Sequence, residues 1–349
     1  MKEVHRIDLP RIVMIGQGVI GELGDICEEI GVERALIVTG KRTLQVAGER
    51  AQRLVQQQGI EAGAILIENA DMASVEAVKR AAEGLRAEAI IGVGGGRTID
   101  VAKLASAQSE AHFISVPTTA SHDGIASGFA SIRSLGKPYS VRAKVPTAVI
   151  ADSQIVAASP YRYIASGCGD VVAKAVSVLD WRIAHEDVGE YYGDYAASLA
   201  QMSSEMVMER AGLIRERSGE GLRVLLESLV SCGVAMSIAG SSRPCSGSEH
   251  LFSHALEMIA PNKILHGEGC GLGTIMMAKL HGIDWVSIAE VLRIVGAPTT
   301  AEEVGLSEDV IVEALVRARE VRPERYTILN RVSLDRDRAR SLAMECGVI

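Results

Sequence analysis

Along the first half of the chain, short β-branched apolar runs alternate with stretches whose apolar residues recur at helical spacing. The runs at residues 11–15, 35–39, 64–68, 89–93 and 113–116 predict strands. Between them, residues 46–58 predict a helix closed by Gly59, and residues 74–85 one that begins on a Ser74 cap followed by Glu76. Such alternation is the pattern of βαβ units, so a parallel sheet is expected. Beyond Pro160 the strand signals thin, and helix-periodic segments follow at 171–183, 195–215, 222–239 and 287–294. Thr299 with Glu302, and Thr300 with Glu303, each resemble a capping box that opens another helix. The expected fold class is therefore an α/β, Rossmann-like N-terminal domain with a parallel sheet, residues 1–155, followed by an all-α C-terminal domain, residues 156–349. The boundary falls between 151 and 161, and the active site is expected in the interdomain cleft. No internal repeat is found.

Composition narrows the function. The 349 residues and 37.1 kDa suit about two domains. A net charge of −8 and a pI near 5.6 give no long-range attraction for nucleic acid or anionic lipid, and 3% aromatics give no stacking platform. A small-molecule substrate is the expectation. Six scattered cysteines with no C-x-x-C pair, and no secretory leader ahead of them, point to a reducing, cytoplasmic compartment. The longest uncharged stretch, residues 228–242, falls short of the roughly 18 to 20 apolar residues of a membrane span, so none is expected. A homo-oligomer is the expected assembly.

Two glycine loops compete for a phosphate. Gly16, Gly18 and Gly21 match G-x-G-x-x-G, yet Gly40, Lys41 and Arg42 end the second strand where that fingerprint wants an acidic residue. Its bland reading is a turn before a helix. Gly92-Val-Gly94-Gly95-Gly96-Arg97-Thr98-Ile99-Asp100 follows an apolar run and opens into a helix, the order in which backbone N–H groups and a helix N-terminus meet a pyrophosphate. This loop is the expected cofactor site, against a ligand-free βα turn. After the next strand, the hydroxyl-rich segment 117–124 lies where α/β proteins collect ligands, or is an ordinary polar loop.

The second half holds a metal-like cluster. Asp170 stands at the start of a helical run, where a buried Asp is most often a cap. His250 and His254 are four apart and share a helix face, and His266 follows in a glycine-flanked loop. Three histidines near one another with a carboxylate in the same domain point to a metal site. Leu251 after His250 removes the Glu of an H-E-x-x-H protease. A catalytic zinc keeps three protein ligands and an open position. One histidine is therefore a substrate-bonding or relay group, and the residues leave open which.

Residues 94–100 (GGGRTID), 115–127 (SVPTTASHDGIAS), Gly169-Asp170, 241–254 (SSRPCSGSEHLFSH) and 265–268 (LHGE) resemble the iron-containing alcohol dehydrogenase and dehydroquinate synthase superfamily. The resemblance covers essentially the whole chain. It implies that Gly95, Gly96, Arg97, Thr98, Ile99, Asp100, Thr118, Thr119, Ala120, Ser121 and Ser127 bind NAD or NADP. Asp170, His250 and His266 would hold one divalent metal, expected to be zinc, and Asp123, Asp170 and His254 would act on the substrate, which makes His254 the non-ligand. A second strand ending in Gly40, Lys41 and Arg42 suits either cofactor, since nothing acidic repels a 2′-phosphate.

Within the superfamily the phosphorylated-glycerol branch fits best. Glycerol dehydrogenases read closer to Ser-Thr-Asp-Ala-Pro where this chain has Ser121-His122-Asp123-Gly124, and dehydroquinate synthases use Glu at the place of Asp170. The implied reaction is reversible NAD(P)H-linked reduction of dihydroxyacetone phosphate to sn-glycerol 1-phosphate, which supplies the backbone of archaeal ether lipids. The alternatives are a glycerol dehydrogenase on unphosphorylated substrate, a dehydroquinate-synthase-like lyase and a non-catalytic nucleotide sensor. Arg142 and Lys144 are candidates for the substrate phosphate, or else an exposed hairpin edge.

Overall fold

The computed structural model describes residues 5–134 and 137–349, and the chain divides into two compact units, Met1–Pro160 and Tyr161–Ile349. The first unit runs β1 (Ile12–Gly16), α1 (Leu23–Glu29), β2 (Arg34–Thr39), α2 (Lys41–Thr43), α3 (Glu49–Gln57), β3 (Glu61–Leu66) and α4 (Met72–Leu85). It continues with β4 (Ala89–Gly94), α5 (Gly96–Ser109), β5 (His112–Pro117), β6 (Phe129–Ser134), β7 (Lys137–Arg142), β8 (Ala148–Asp152) and α6 (Ser153–Ala158).

Six strands form one parallel sheet in the order β1-β8-β5-β4-β2-β3, and β6 with β7 makes a separate antiparallel hairpin. Alternate residues of each strand feed two cores. Ala35, Ile37, Ile91 and Val93 pack with Ile20, Leu23 and Val55, whereas Leu36, Val38, Ile90 and Phe113 pack with Val75 and Ile99. A parallel sheet covered on both faces needs apolar residues at both parities, which is why β4 is buried throughout. Register pairs Gly94 with Pro117 across β4 and β5, so the two loops that follow leave the sheet side by side at its carboxyl end.

Several local expectations shift. The cap of α4 is Asp71, whose carboxylate accepts from the Ser74 N–H; Ser74 itself lies inside the helix. β3 spans Glu61–Leu66, paired with Arg34–Thr39, so it starts three residues before the apolar run, whose pattern Gly63 interrupts. β8, unmarked by the sequence reading, is a five-residue buried strand between β1 and β5. The helix after it packs on β1 and β8, which carries the first unit to Pro160 instead of residue 155.

The second unit is helical: α7 (Tyr161–Val172), α8 (Lys174–Val188), α9 (Asp194–Glu209), α10 (Ala211–Arg215), α11 (Gly219–Ala239) and α12 (Ser248–Ile259). Then come α13 (His266–His281), α14 (Trp285–Ile294), α15 (Glu308–Val321), α16 (Ile328–Arg331) and α17 (Arg336–Glu345). Asp170 therefore occupies the last turn of α7 and is no helix-start cap; the break comes after it, at Ala173. The Thr300–Glu303 box closes only the 3-10 turn Glu302–Val304, and the long helix waits until Glu308. α11 is long and apolar enough to cross a membrane by composition, but 67% of its most apolar window is buried inside the protein, the position of a core helix.

Lys103, on α5, is fully buried. Its ammonium donates to the carbonyls of Gly124 (2.6 Å) and Phe129 (2.6 Å) and to Asp100 Oδ1 (3.3 Å), while Asp100 Oδ2 accepts from the Ser131 N–H (3.1 Å). Burial lowers the pKa of Lys103, opposed by the charges of Asp100 and Asp123. The pair ties the helix after the glycine loop to the 118–129 segment. Lys103→Met, which strands the Asp100 charge, is expected to cost about 3–5 kcal/mol, read as a lower urea midpoint. An unchanged midpoint would mean that the buried pair contributes nothing to stability.

Candidate active site

At the carboxyl end of the first unit's sheet, Gly95 is the extended N-cap of α5 and supplies no side-chain cap, which leaves the first helical N–H groups for another acceptor. Gly96 is required by contact: a Cβ there would lie 1.8 Å from His122 Nε2, so the 118–122 loop packs directly on the glycine turn. Thr118 donates its backbone N–H to the Gly94 carbonyl (2.9 Å), and its buried hydroxyl has no partner within the protein. A helix N-terminus with no side-chain cap and an orphaned buried hydroxyl beside it fit a dinucleotide phosphate.

The earlier glycine loop is closed from within. The N–H groups of Gly18 (3.1 Å) and Ile20 (3.3 Å) donate to the buried Asp152 carboxylate, which takes the place an external phosphate would need.

The remaining candidates of this unit divide. Arg97 is exposed and reaches the Glu68 carbonyl, while Thr119 and Ser121 are half-buried in the loop. Ile99 and Ala120 are buried, so neither offers a side chain to an external ligand. The Asp100 carboxylate is committed to Lys103 and Ser131, and the Ser127 hydroxyl donates to the Phe129 carbonyl (3.2 Å). Asp123 opens the 3-10 turn Asp123–Ile125, which His122 caps through the Gly124 N–H (2.9 Å). Lys144 does not serve the loops: its ammonium donates to the Ala111 carbonyl (2.7 Å), just before β5 and hence at the sheet's amino end. Arg142, at the end of the hairpin, is exposed.

In the second unit, α7, α12 and α13 meet at the distance of bare backbone. A Cβ on Gly267 would stand 1.8 Å from the Ser166 carbonyl oxygen of α7, and one on Gly273 2.8 Å from the Glu249 carbonyl of α12. Glu268 locks the start of α13: it accepts from the Leu265 N–H (2.8 Å) and takes both arms of Arg162 of α7 (2.6 and 2.7 Å). The start of α12 is held by the buried Asp180 carboxylate, which accepts from the Ser248 N–H and hydroxyl (2.6 Å each), the Ile328 N–H (2.7 Å) and His281 Nε2 (3.0 Å).

These contacts bring one ligating atom each from Asp170, His250, His266 and Cys270 within 4.8 Å of one another. His250 Nε2 lies 3.5 Å from Asp170 Oδ1, and Cys270 Sγ 3.5 Å from His266 Nε2. On the far side of each ring, His250 Nδ1 bonds Glu249 Oε1 (2.8 Å) and His266 Nδ1 bonds Glu257 Oε1 (3.1 Å). Carboxylates on both Nδ1 atoms turn both Nε2 atoms inward, which is how metal-binding imidazoles are oriented. The donor set therefore fits a divalent metal. His254, one turn beyond His250, falls outside the set that contains Asp170 and joins Glu257 and His266 in a neighbouring one.

The cluster is electrostatically polarised. Burial alone would raise the pKa of Asp170, but the Lys174 ammonium at 2.8 Å and the rings of His250 and His266 outweigh it and hold the carboxyl well below its usual range. Burial opposes ionisation of Cys270 as well, and the two rings outweigh it and lower that thiol. His254 goes the other way: burial, with His266, His250 and Arg322 adding to it against Glu257, pushes its pKa down to about 3. Its surroundings favour the neutral imidazole, and its buried Nδ1 has no partner within the protein.

Sequence reasoning placed Asp170, His250 and His266 in the candidate set and left Cys270 out. Its signal was the four-residue spacing from His266, visible only once His266 is known to start a helix instead of sitting in a loop.

A parallel-sheet unit with an uncapped helix N-terminus after a glycine turn, and a helical unit with an Asp-His-His cluster, are the parts of a metal-dependent dehydrogenase class. The sequence profile described as "Iron-containing alcohol dehydrogenase" matches residues 14–160. Over 93% of this chain and 91% of its own length, a curated Methanosarcina mazei protein named glycerol-1-phosphate dehydrogenase (NAD(P)+) is 50% identical. A Thermococcus kodakarensis protein of the same name is 48% identical over 100% of this chain and 99% of its own. Among solved structures, a probable glycerol dehydrogenase from Sinorhizobium meliloti superposes with a TM-score of 0.81 at 21% identity, covering 98% of each chain. This chain belongs to the glycerol-1-phosphate dehydrogenase family of the iron-containing alcohol dehydrogenases.

Two substitutions test the assembly of the cluster. Gly267→Ala is expected to cost about 1–3 kcal/mol of stability through overpacking and to reduce metal content after dialysis. Glu257→Gln, which keeps the packing, should weaken metal binding about 10- to 100-fold in a chelator competition. Wild-type metal retention in both variants would contradict this assembly.

Proposed function

We propose that this protein is an NAD(P)H-linked, metal-dependent dehydrogenase that reversibly reduces dihydroxyacetone phosphate to sn-glycerol 1-phosphate, the backbone unit of archaeal ether lipids. The observation that carries the reading is the set of buried Asp170 and His250 with half-buried His266, each imidazole oriented from behind by a carboxylate. The name shared by full-length relatives near 50% identity supports the substrate.

Asp170, His250 and His266 hold the metal. When bound, the metal supplies Lewis-acid polarisation of a carbonyl oxygen, worth several kcal/mol, and the nicotinamide supplies the hydride. Gly95, Gly96 and the N–H groups that open α5 take the cofactor pyrophosphate, with the Thr118 hydroxyl as a further hydrogen-bonding group. Lys41 and Arg42, exposed after β2, suit an adenosine ribose with or without a 2′-phosphate. His254 is kept neutral and can exchange a hydrogen bond with a substrate hydroxyl without becoming a cation. Asp123 is assigned to the substrate as well. Lys174 keeps Asp170 ionised, as a ligand must be. A cytoplasmic setting agrees with six cysteines that are all free and buried.

The test follows loss of NADPH and NADH absorbance with dihydroxyacetone phosphate and with dihydroxyacetone, before and after chelation and zinc return. Oxidation that needs the phosphate and returns with the metal is the expected result. Activity on the unphosphorylated ketone alone would move the protein to the glycerol dehydrogenases, and undiminished turnover after complete metal removal would sink the proposal.

A further inference from the structure

The segment that leads into α12 gathers arginines. Arg243, in the 3-10 turn Arg243–Cys245, is buried; it pairs with the Glu190 carboxylate and donates to the Tyr326 carbonyl (2.8 Å). Arg325, next to Tyr326, donates to the Ser246 carbonyl and to the Ser242 hydroxyl (2.9 Å), the residues on either side of that turn. Unlike Arg243, it has no carboxylate ion pair among the described residues. Of the two carboxylates whose charge reaches it, Glu190 is paired with Arg243, and Glu249 accepts through Oε1 from the Gly247 N–H and bonds His250, while its buried Oε2 has no hydrogen-bond partner.

Arg322 caps the end of α15, which packs against α12, and it too forms no ion pair among the described residues. Its charge is one of those that act on His254, in the second turn of α12. One guanidinium is thus fixed just before the helix that carries the candidate substrate and metal residues, and another bears on that helix further along.

A guanidinium presents five N–H donors, and the contacts above account for one donor on each terminal nitrogen of Arg325. Burial, together with the like charges of Arg322 and Arg243, pushes its pKa down to about 10. The unused N–H donors of Arg325, held just before α12, and the guanidinium of Arg322, at the end of the helix packed on α12, are placed to take an anion. The anion that suits a pair of planar forks is a phosphate monoester.

We propose that Arg322 and Arg325 form the phosphate subsite of the substrate, and so set the preference for a phosphorylated over an unphosphorylated ketone. The proposal rests on the function inferred above and gives it phosphate contacts in place of Lys144, whose ammonium donates to the Ala111 carbonyl.

The experiment compares kcat/KM for dihydroxyacetone phosphate and for dihydroxyacetone in the metal-loaded wild type, Arg322→Gln and Arg325→Lys. Calorimetric titration with inorganic phosphate runs alongside, and circular dichroism and metal content check the fold. The ratio of the two kcat/KM values should fall at least about tenfold in each variant, mainly through KM for the phosphorylated ketone, with weaker binding of inorganic phosphate. If Arg325→Lys fails to fold, Arg322→Gln carries the test. A ratio and a phosphate affinity both equal to wild type would overturn the subsite even where the wild type reduces dihydroxyacetone phosphate. Should the wild type not turn that substrate over, the inferred function fails, and the phosphate titration alone decides the subsite: affinity lost in Arg322→Gln upholds it, affinity kept overturns it.

Discussion

The close approach of three helix backbones is the constraint on which the second unit depends. Ligating atoms from α7, α12 and α13 can share one small volume only if the helices carrying them come nearer than side chains ordinarily allow. Gly267 and Gly273 remove the Cβ atoms that would strike the carbonyls of Ser166 and Glu249. Arg162 with Glu268, and Asp180 with Ser248 and Ile328, then fix the helix ends, so each ligand is presented by an element that is itself anchored. What results is a buried concentration of charge. Asp170 stays ionised against its burial because Lys174 and two imidazoles surround it, and the same rings lower the Cys270 thiol.

The first unit meets a different requirement, the presentation of unpaired N–H groups, by a related device. Gly96 lies against the His122 ring, which brings the 118–122 loop onto the α5 N-terminus, while buried Lys103 pins the chain that follows. Asp152 marks the contrast between the two glycine loops. Where an internal carboxylate accepts from the Gly18 and Ile20 N–H groups, the loop is a structural turn; where no side chain caps the helix, as at Gly95, donors remain for a ligand. A glycine string therefore says less about phosphate binding than the fate of its N–H groups.

Much of this was legible because it is local. Strand and helix periods in residues 11–116, and the four-residue spacing of His250 and His254, are short-range signals that survive without tertiary information. The residues that escaped depend on packing. Asp170 looked like a cap because the helix break at Ala173 falls after it, and nothing local distinguishes the end of α7 from the start of α8. Asp71 displaced Ser74 as the α4 cap because the stronger acceptor stands three residues earlier. β8 is as long as β1, and what marks it is its place in the sheet between β1 and β5, which no local signal announces. Lys144 was chosen for its charge and its neighbourhood in sequence, yet its strand connection carries it to the amino end of the sheet. Arg322 and Arg325 lie roughly 70 residues beyond α12, and only the fold returns them to it.

The central claim is that Asp170, His250 and His266 jointly hold one metal ion. An anomalous difference map from crystals of the zinc-loaded protein tests this most directly. The account predicts one strong peak per chain, about 2.0–2.2 Å from a carboxylate oxygen of Asp170 and from Nε2 of both histidines. A fully loaded protein whose peak lay elsewhere, or away from Asp170, would contradict it.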